Sequence, residues 1–182
     1  RGRYRISTTD VTTKTVNELL NKLSTTYSDK QVTDVVFAMG RYQVIPEVLK
    51  EAVTAGAVKE NDLFNQQHQE QVCDYLLLSK RKKQIGKYLS GENAGTKREL
   101  ELAIDGLGQE WASMPVVSRT KKSNKKVGNV VAGTGKAGYY GGDGINPTVS
   151  KTDVRTAVQK MIESRIKYSG KTPEFIPSYV TV

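Results

Sequence analysis

Residues 37–46 read FAMGRYQVIP. An apolar lead-in runs into Gly40, Arg41, Tyr42 and Gln43, then two apolar residues and Pro46. Glycine gives backbone room, arginine a cation, tyrosine a ring face and glutamine an amide. That set can line a groove for a polar, ring-shaped ligand. It equally suits a plain loop ahead of a helix. Pro46 settles the local structure, because its fixed φ favours the first helical turn. A helix over PEVLKEAVTAG (46–56) follows, closed by Gly56.

Helical signals dominate on both sides. Thr15-Val16-Asn17-Glu18 has the spacing of a capping box, and Leu19, Leu20 and Leu23 share a face behind it, which predicts a helix near 15–25. Asn61 and Asp62 mark a turn within 57–64. NQQHQEQVCDYLLLSK reads as a long helix with Val72, Tyr75 and Leu76 at helical spacing. RKKQIGKYLSG is a short basic helix stopped by Gly91. Thr96 to Glu99 forms a second capping box, leading a helix with the stripe Leu100, Ala103, Ile104 and Leu107. Gly106 and Gly108 weaken its uniformity. Residues 115–149 change character, first basic and then glycine-rich. TDVRTAVQKMIESRIKYSG is an amphipathic last helix with Val154, Ala157, Val158, Met161 and Ile162 inward, and residues 170–182 form a tail. The expected class is mainly α: one domain over 1–182 with a long irregular Gly-rich and basic insertion.

The chain has 182 residues, 37% hydrophobic, enough for a real core. No apolar run approaches the roughly 18 residues of a membrane span. RGRYRISTTD lacks the apolar stretch of a signal peptide, and with no initial Met the chain is expected to be a fragment or a processed product. The single cysteine, Cys73, excludes an intrachain disulfide and reads as a buried structural thiol or, alternatively, a nucleophile. One cysteine and one histidine, His68, argue against a zinc site or a Cys-His pair, and no metal or cofactor is expected. Net charge is +9, which favours an anionic partner: nucleic acid, an acidic envelope or an acidic protein.

The glycine-rich stretch VVAGTGKAGYYGG (130–142) fails the phosphate-loop pattern, which needs glycine where Val130 stands and serine or threonine where Ala137 stands. It reads as a glycine-rich loop, or as one that places Tyr139 and Tyr140 over a groove to stack on sugar rings. The basic runs Lys80–Lys83 and Arg119–Lys126 read as solvated faces or as attraction to an anionic polymer. They contain no interleaved aromatics, which weakens a nucleic-acid reading. Acid catalysis needs a carboxyl in a partly apolar niche. Glu110 beside Trp111 is the best local match, against the plainer reading of a helix-end glutamate. Glu47 and Glu51 follow Pro46, with Glu47 placed to meet the helix dipole. Asp10, among threonines, can orient a water or make a turn.

Four segments in order resemble lysozyme-like peptidoglycan-cleaving domains, found in phage endolysins, soluble transglycosylases and type VI secretion muramidase effectors. They are FAMGRYQVIPEVLKEAV, QEQVCDYLLLSKRKKQIGKYLSG, QEWASMPV and GKAGYYGGDGINPTVSKTDVRTAVQ, and together they span most of residues 1–169. The resemblance implies a lysozyme-like helical fold. It implies a muramidase, a glycoside hydrolase that cuts the β-1,4 bond between N-acetylmuramic acid and N-acetylglucosamine of bacterial peptidoglycan. A lytic transglycosylase on the same substrate, and a non-catalytic wall-binding or structural virion protein, are the alternatives. The family's acid is a glutamate in a segment whose tail Arg1-Gly2 resembles, so that acid is expected upstream of Arg1 unless another carboxylate serves. Within the chain, Glu110 and Asp10 are the catalytic candidates. Gly40, Arg41, Tyr42, Gln43, Trp111, Tyr139 and Tyr140 are the substrate-binding candidates. By this reading Gly40 admits the glycan close to the backbone, Tyr42 offers a ring face, Gln43 meets an acetamido group or hydroxyl, and Arg41 balances a carboxylate. The expected partner is peptidoglycan, not nucleic acid. The expected place of action is the bacterial wall, reached through phage lysis or secretion.

Overall fold

A computed structural model describes residues 10–23, 38–111, 114, 116–117, 120–121, 130–131 and 154–180. The architecture is mainly helical: α1 (Val16–Leu23), α2 (Pro46–Thr54), α3 (Gln66–Asp74), α4 (Lys87–Ser90), α5 (Lys97–Glu110) and α6 (Val154–Ser169). Between α3 and α4 the helix widens to π geometry over Tyr75–Lys80 and Lys82–Gly86. One short antiparallel pair, β1 (Thr120–Lys121) with β2 (Val130–Val131), lies in the stretch expected to be irregular. The single domain expected over 1–182 groups by its contacts into two compact units, 1–76 and 77–182, and the boundary falls in the first π segment.

In the first unit the start of α1 and the proline-led start of α2 follow local chemistry. Thr15 and Glu18 close the capping box: Glu18 N–H donates to the Thr15 hydroxyl at 3.2 Å, and Thr15 N–H to the Glu18 carboxylate at 2.7 Å. Backbone bonds from Val16 to Asp62 and from Phe64 to Lys14 tie the start of α1 to the turn before α3. Val16, Leu19, Met39, Val44, Leu49, Ala52, Phe64 and Val72 form the core. Asn65 caps α3 by accepting from His68 N–H at 3.1 Å.

In the second unit α5 begins at a complete Thr96–Glu99 capping box. Leu100, Ala103 and Ile104 are buried as their spacing predicts. Gly106 does not break α5. A Cβ there would lie 2.9 Å from Ile85, so the glycine permits close approach of the second π segment. Ala157, Val158, Met161 and Ile162 of α6 complete this core. Arg165, only 1% exposed, donates to Tyr88 O at 2.8 Å and to Asn93 O at 2.8 Å, pinning α6 to the end of α4. The carbonyl end of a helix carries partial negative charge, which suits a buried guanidinium.

Candidate functional site

The segment that opens the sequence reading is a tight turn. Met39 and Val44 pair across it, each N–H donating to the other's carbonyl at 2.9 Å. Gly40, Arg41, Tyr42 and Gln43 make the loop. Gly40 has φ +65° and Gln43 φ +51°, so the loop enters and leaves through left-handed backbone. That conformation is routine for glycine and strained for glutamine. Gln43 eases its own position by folding back: its Nε2 donates to Gly40 O at 3.0 Å. Its amide nitrogen is thereby used inside the loop, while the residue as a whole stays exposed.

Two consecutive residues of α3 hold this loop. Gln69, 5% exposed, accepts from Arg41 N–H at 2.8 Å and donates from Nε2 to Phe64 O at 2.9 Å. Glu70 accepts from the Tyr42 hydroxyl at 2.6 Å and pairs with the Arg41 guanidinium at 3.3 Å. Arg41 also lies 5.8 Å from the centre of the Tyr42 ring, within cation–π range. The result is a half-buried phenol ring flanked by an exposed cation and a carboxylate. Sequence reasoning missed both Gln69 and Glu70. The signal available was weak: a glutamine on the core-facing side of a helix, three positions ahead of the apolar stripe.

Electrostatics in this patch follow burial and crowding of acids. Burial raises the Tyr42 phenol above its ordinary range, helped by its bond to Glu70. Burial pushes the Cys73 thiol up to about 12, with the charges of Asp74 and Glu70 adding to it. The Asp74 carboxyl is likewise raised, by burial first and by Glu70 one helical turn away second. Cys73 therefore stays a protonated, buried thiol at neutral pH.

Glu110 and Trp111 stand at the end of α5 in the second unit. The partly apolar niche sought around Glu110 is instead lined by cations. The Glu110 side chain is 3% exposed, with Oε1 at 2.6 Å from both Nε and Nη2 of Arg81 and Oε2 at 3.3 Å from Lys80. Arg81 also donates to Gln109 at 2.6 Å. A general acid must carry a proton and reach the leaving oxygen. With both oxygens held by cations, Glu110 is placed as the anchor of Arg81, the residue between the two π segments. Trp111 is half-buried at the C-cap of α5, and its backbone N–H donates to Leu107 O at 2.8 Å.

Asp10 makes a turn. Its Oδ1 accepts from Thr12 N–H at 3.0 Å and the Thr12 hydroxyl at 2.7 Å, capping a single 3₁₀ turn. These bonds hold its carboxyl below the usual range. Tyr139 and Tyr140 lie outside the described residues. Among the described residues no group of three or more His, Cys, Asp or Glu could hold a metal ion, and no helix is long and apolar enough to cross a membrane. Comparisons with family models, with curated proteins and with solved structures found no match.

Proposed function

We propose that this chain is a peptidoglycan glycosidase of the lysozyme-like class, acting on the β-1,4 bond between N-acetylmuramic acid and N-acetylglucosamine. The observation that carries the reading is the 40–43 loop. It presents the Tyr42 ring beside Arg41 and Glu70 and is held in that shape by α3; the room that glycine leaves at position 40, expected to admit the glycan, is taken by the Gln69 carboxamide. A ring face stacks on a pyranose, and a neighbouring cation and carboxylate serve its hydroxyl, amide and lactyl groups. In such a reaction an acid protonates the glycosidic oxygen and an oxocarbenium-like centre is captured by water, or by the muramyl 6-hydroxyl in a transglycosylase. The net charge of +9 suits an anionic envelope.

A second reading is a non-catalytic wall-binding or structural protein. It is favoured by one observation: the two in-chain acid candidates are committed elsewhere, Glu110 to cations and Asp10 to a cap.

Digestion of purified peptidoglycan, with products read by mass spectrometry, tests both. Reducing ends mean hydrolysis, and 1,6-anhydro ends mean transglycosylation. Sedimentation with the wall but no cleavage favours the binding reading. Tyr42→Ala and Gln43→Ala are expected to weaken cleavage or binding while leaving the circular-dichroism spectrum intact. Unchanged action on the wall in both variants removes the loop from the proposal.

A further inference from the structure

We propose that Gln69 is the positioning residue of the candidate glycan-binding loop, setting the backbone of residues 40–43 so that Tyr42 and Arg41 are presented in a fixed arrangement. The inference rests on reading that loop as carbohydrate-facing, and it adds a residue that never touches the ligand.

Glutamine is ordinarily a surface residue. Gln69 is buried, and both ends of its carboxamide are used across different segments: Oε1 on Arg41 N–H and Nε2 on Phe64 O. A leucine could fill much of the same space. A carboxamide supplies an acceptor to one backbone group and a donor to another at once, which leucine cannot do. The packing is close as well. The Gln69 carboxamide occupies the space that a Cβ on residue 40 would need, with its Cδ at 2.7 Å from that point. Glycine at 40 and glutamine at 69 are therefore one device.

The strain in the loop points the same way. Gln43 holds a left-handed backbone at φ +51° without being glycine. Such conformations persist where the surroundings over-determine them. Gln69 fixes the loop backbone, and its neighbour Glu70 fixes the side chains by accepting from Tyr42 and pairing with Arg41. A loop ordered before binding does not lose that freedom on binding.

The test uses the full chain with Gln69→Leu, Gln69→Glu and Tyr42→Ala, at a temperature where each is folded. Two quantities are read: hydrogen exchange of the Arg41 amide by NMR, and co-sedimentation with purified peptidoglycan sacculi. Gln69→Leu is expected to speed Arg41 exchange about tenfold or more and to weaken sedimentation by about as much. Gln69→Glu keeps an acceptor for Arg41 N–H but sets an oxygen against Phe64 O where the donor stood, so Arg41 exchange is expected to speed less than in Gln69→Leu. Tyr42→Ala weakens sedimentation without touching Arg41 exchange, which separates ligand contact from positioning. Unchanged Arg41 exchange in Gln69→Leu overturns the inference, as does faster exchange with undiminished wall binding. Should Gln69→Leu not fold, Gln69→Met, which removes both polar groups at nearly the same side-chain length, takes its place, and unchanged Arg41 exchange there overturns the inference. If the wild type does not sediment with sacculi while Gln69→Leu still loosens Arg41, the carbohydrate reading fails and the hold of Gln69 on the loop stands.

Discussion

Replacing Gly40 by alanine probes the loop from its other side. Two costs arise. An L-residue at φ +65° costs about 1–2 kcal/mol. The new Cβ also displaces the Gln69 carboxamide, whose Cδ lies 2.7 Å from the position it takes. The end of a glutamine can swing aside, so the cost is not the overlap itself. It is the loss of the 2.8 Å bond to Arg41 N–H and the 2.9 Å bond to Phe64 O inside a buried site. Stranding buried polar groups costs about 1–3 kcal/mol. The sum for Gly40→Ala is about 2–5 kcal/mol. Gly56 provides the control: its φ is +74°, and a Cβ there meets nothing within 4 Å. Gly56→Ala therefore carries only the conformational cost, about 1–2 kcal/mol. The difference between the two variants, about 1–3 kcal/mol, isolates Gln69. For a unit the size of residues 1–76, each kcal/mol moves the melting temperature by about 4–8 °C. Urea unfolding followed by circular dichroism gives both values on one scale. Equal losses in the two variants, within about 0.5 kcal/mol, would show that nothing is packed against Gly40 and that the clasp does not exist in solution.

Three further outcomes follow from the same geometry. Glu110→Gln breaks a pair whose carboxylate is almost fully buried while its cations are about a quarter exposed. A loss of about 2–4 kcal/mol is expected in denaturant melts, somewhat below the range for fully buried pairs, and a neutral result would mark Glu110 as free for other work. With its pKa near 12, the Cys73 thiol should resist iodoacetamide in the folded protein at pH 8 and react at ordinary rates once unfolded, read by intact mass. Rapid labelling of the folded chain contradicts the burial. The Asp74 carboxyl is raised in the folded state, so its contribution to stability is fully present below its unfolded value of 3.8 and is lost as pH rises through the folded value. Asp74→Asn should therefore be more stable than wild type at pH 7 and equal to it near pH 3, and the opposite order in melts at the two pH values would refute a raised Asp74 carboxyl.

Local chemistry is what the sequence by itself determined. The capping boxes at Thr15 and Thr96, the proline start at Pro46 and the glycine stop at Gly91 act within a turn or two of chain, so they are legible as patterns. The apolar stripes of α5 and α6 are legible for the same reason, since helical periodicity puts their residues on one face whatever the partner. Tertiary contact decided the rest. Gly106 looked like a flaw in α5 and is instead a point of close approach to Ile85. Lys80 and Arg81 looked like part of a solvated basic face, and the fold pairs both with Glu110, which then ceases to resemble a free acid. Asp10 had two open readings, and the fold of its own turn selected the cap. The GRYQ loop could be recognised by composition, but its shape depends on a buried glutamine and an acid on α3, brought to it by packing. A carboxamide's partners are other segments of backbone, and only the folded chain says which ones lie within 3 Å.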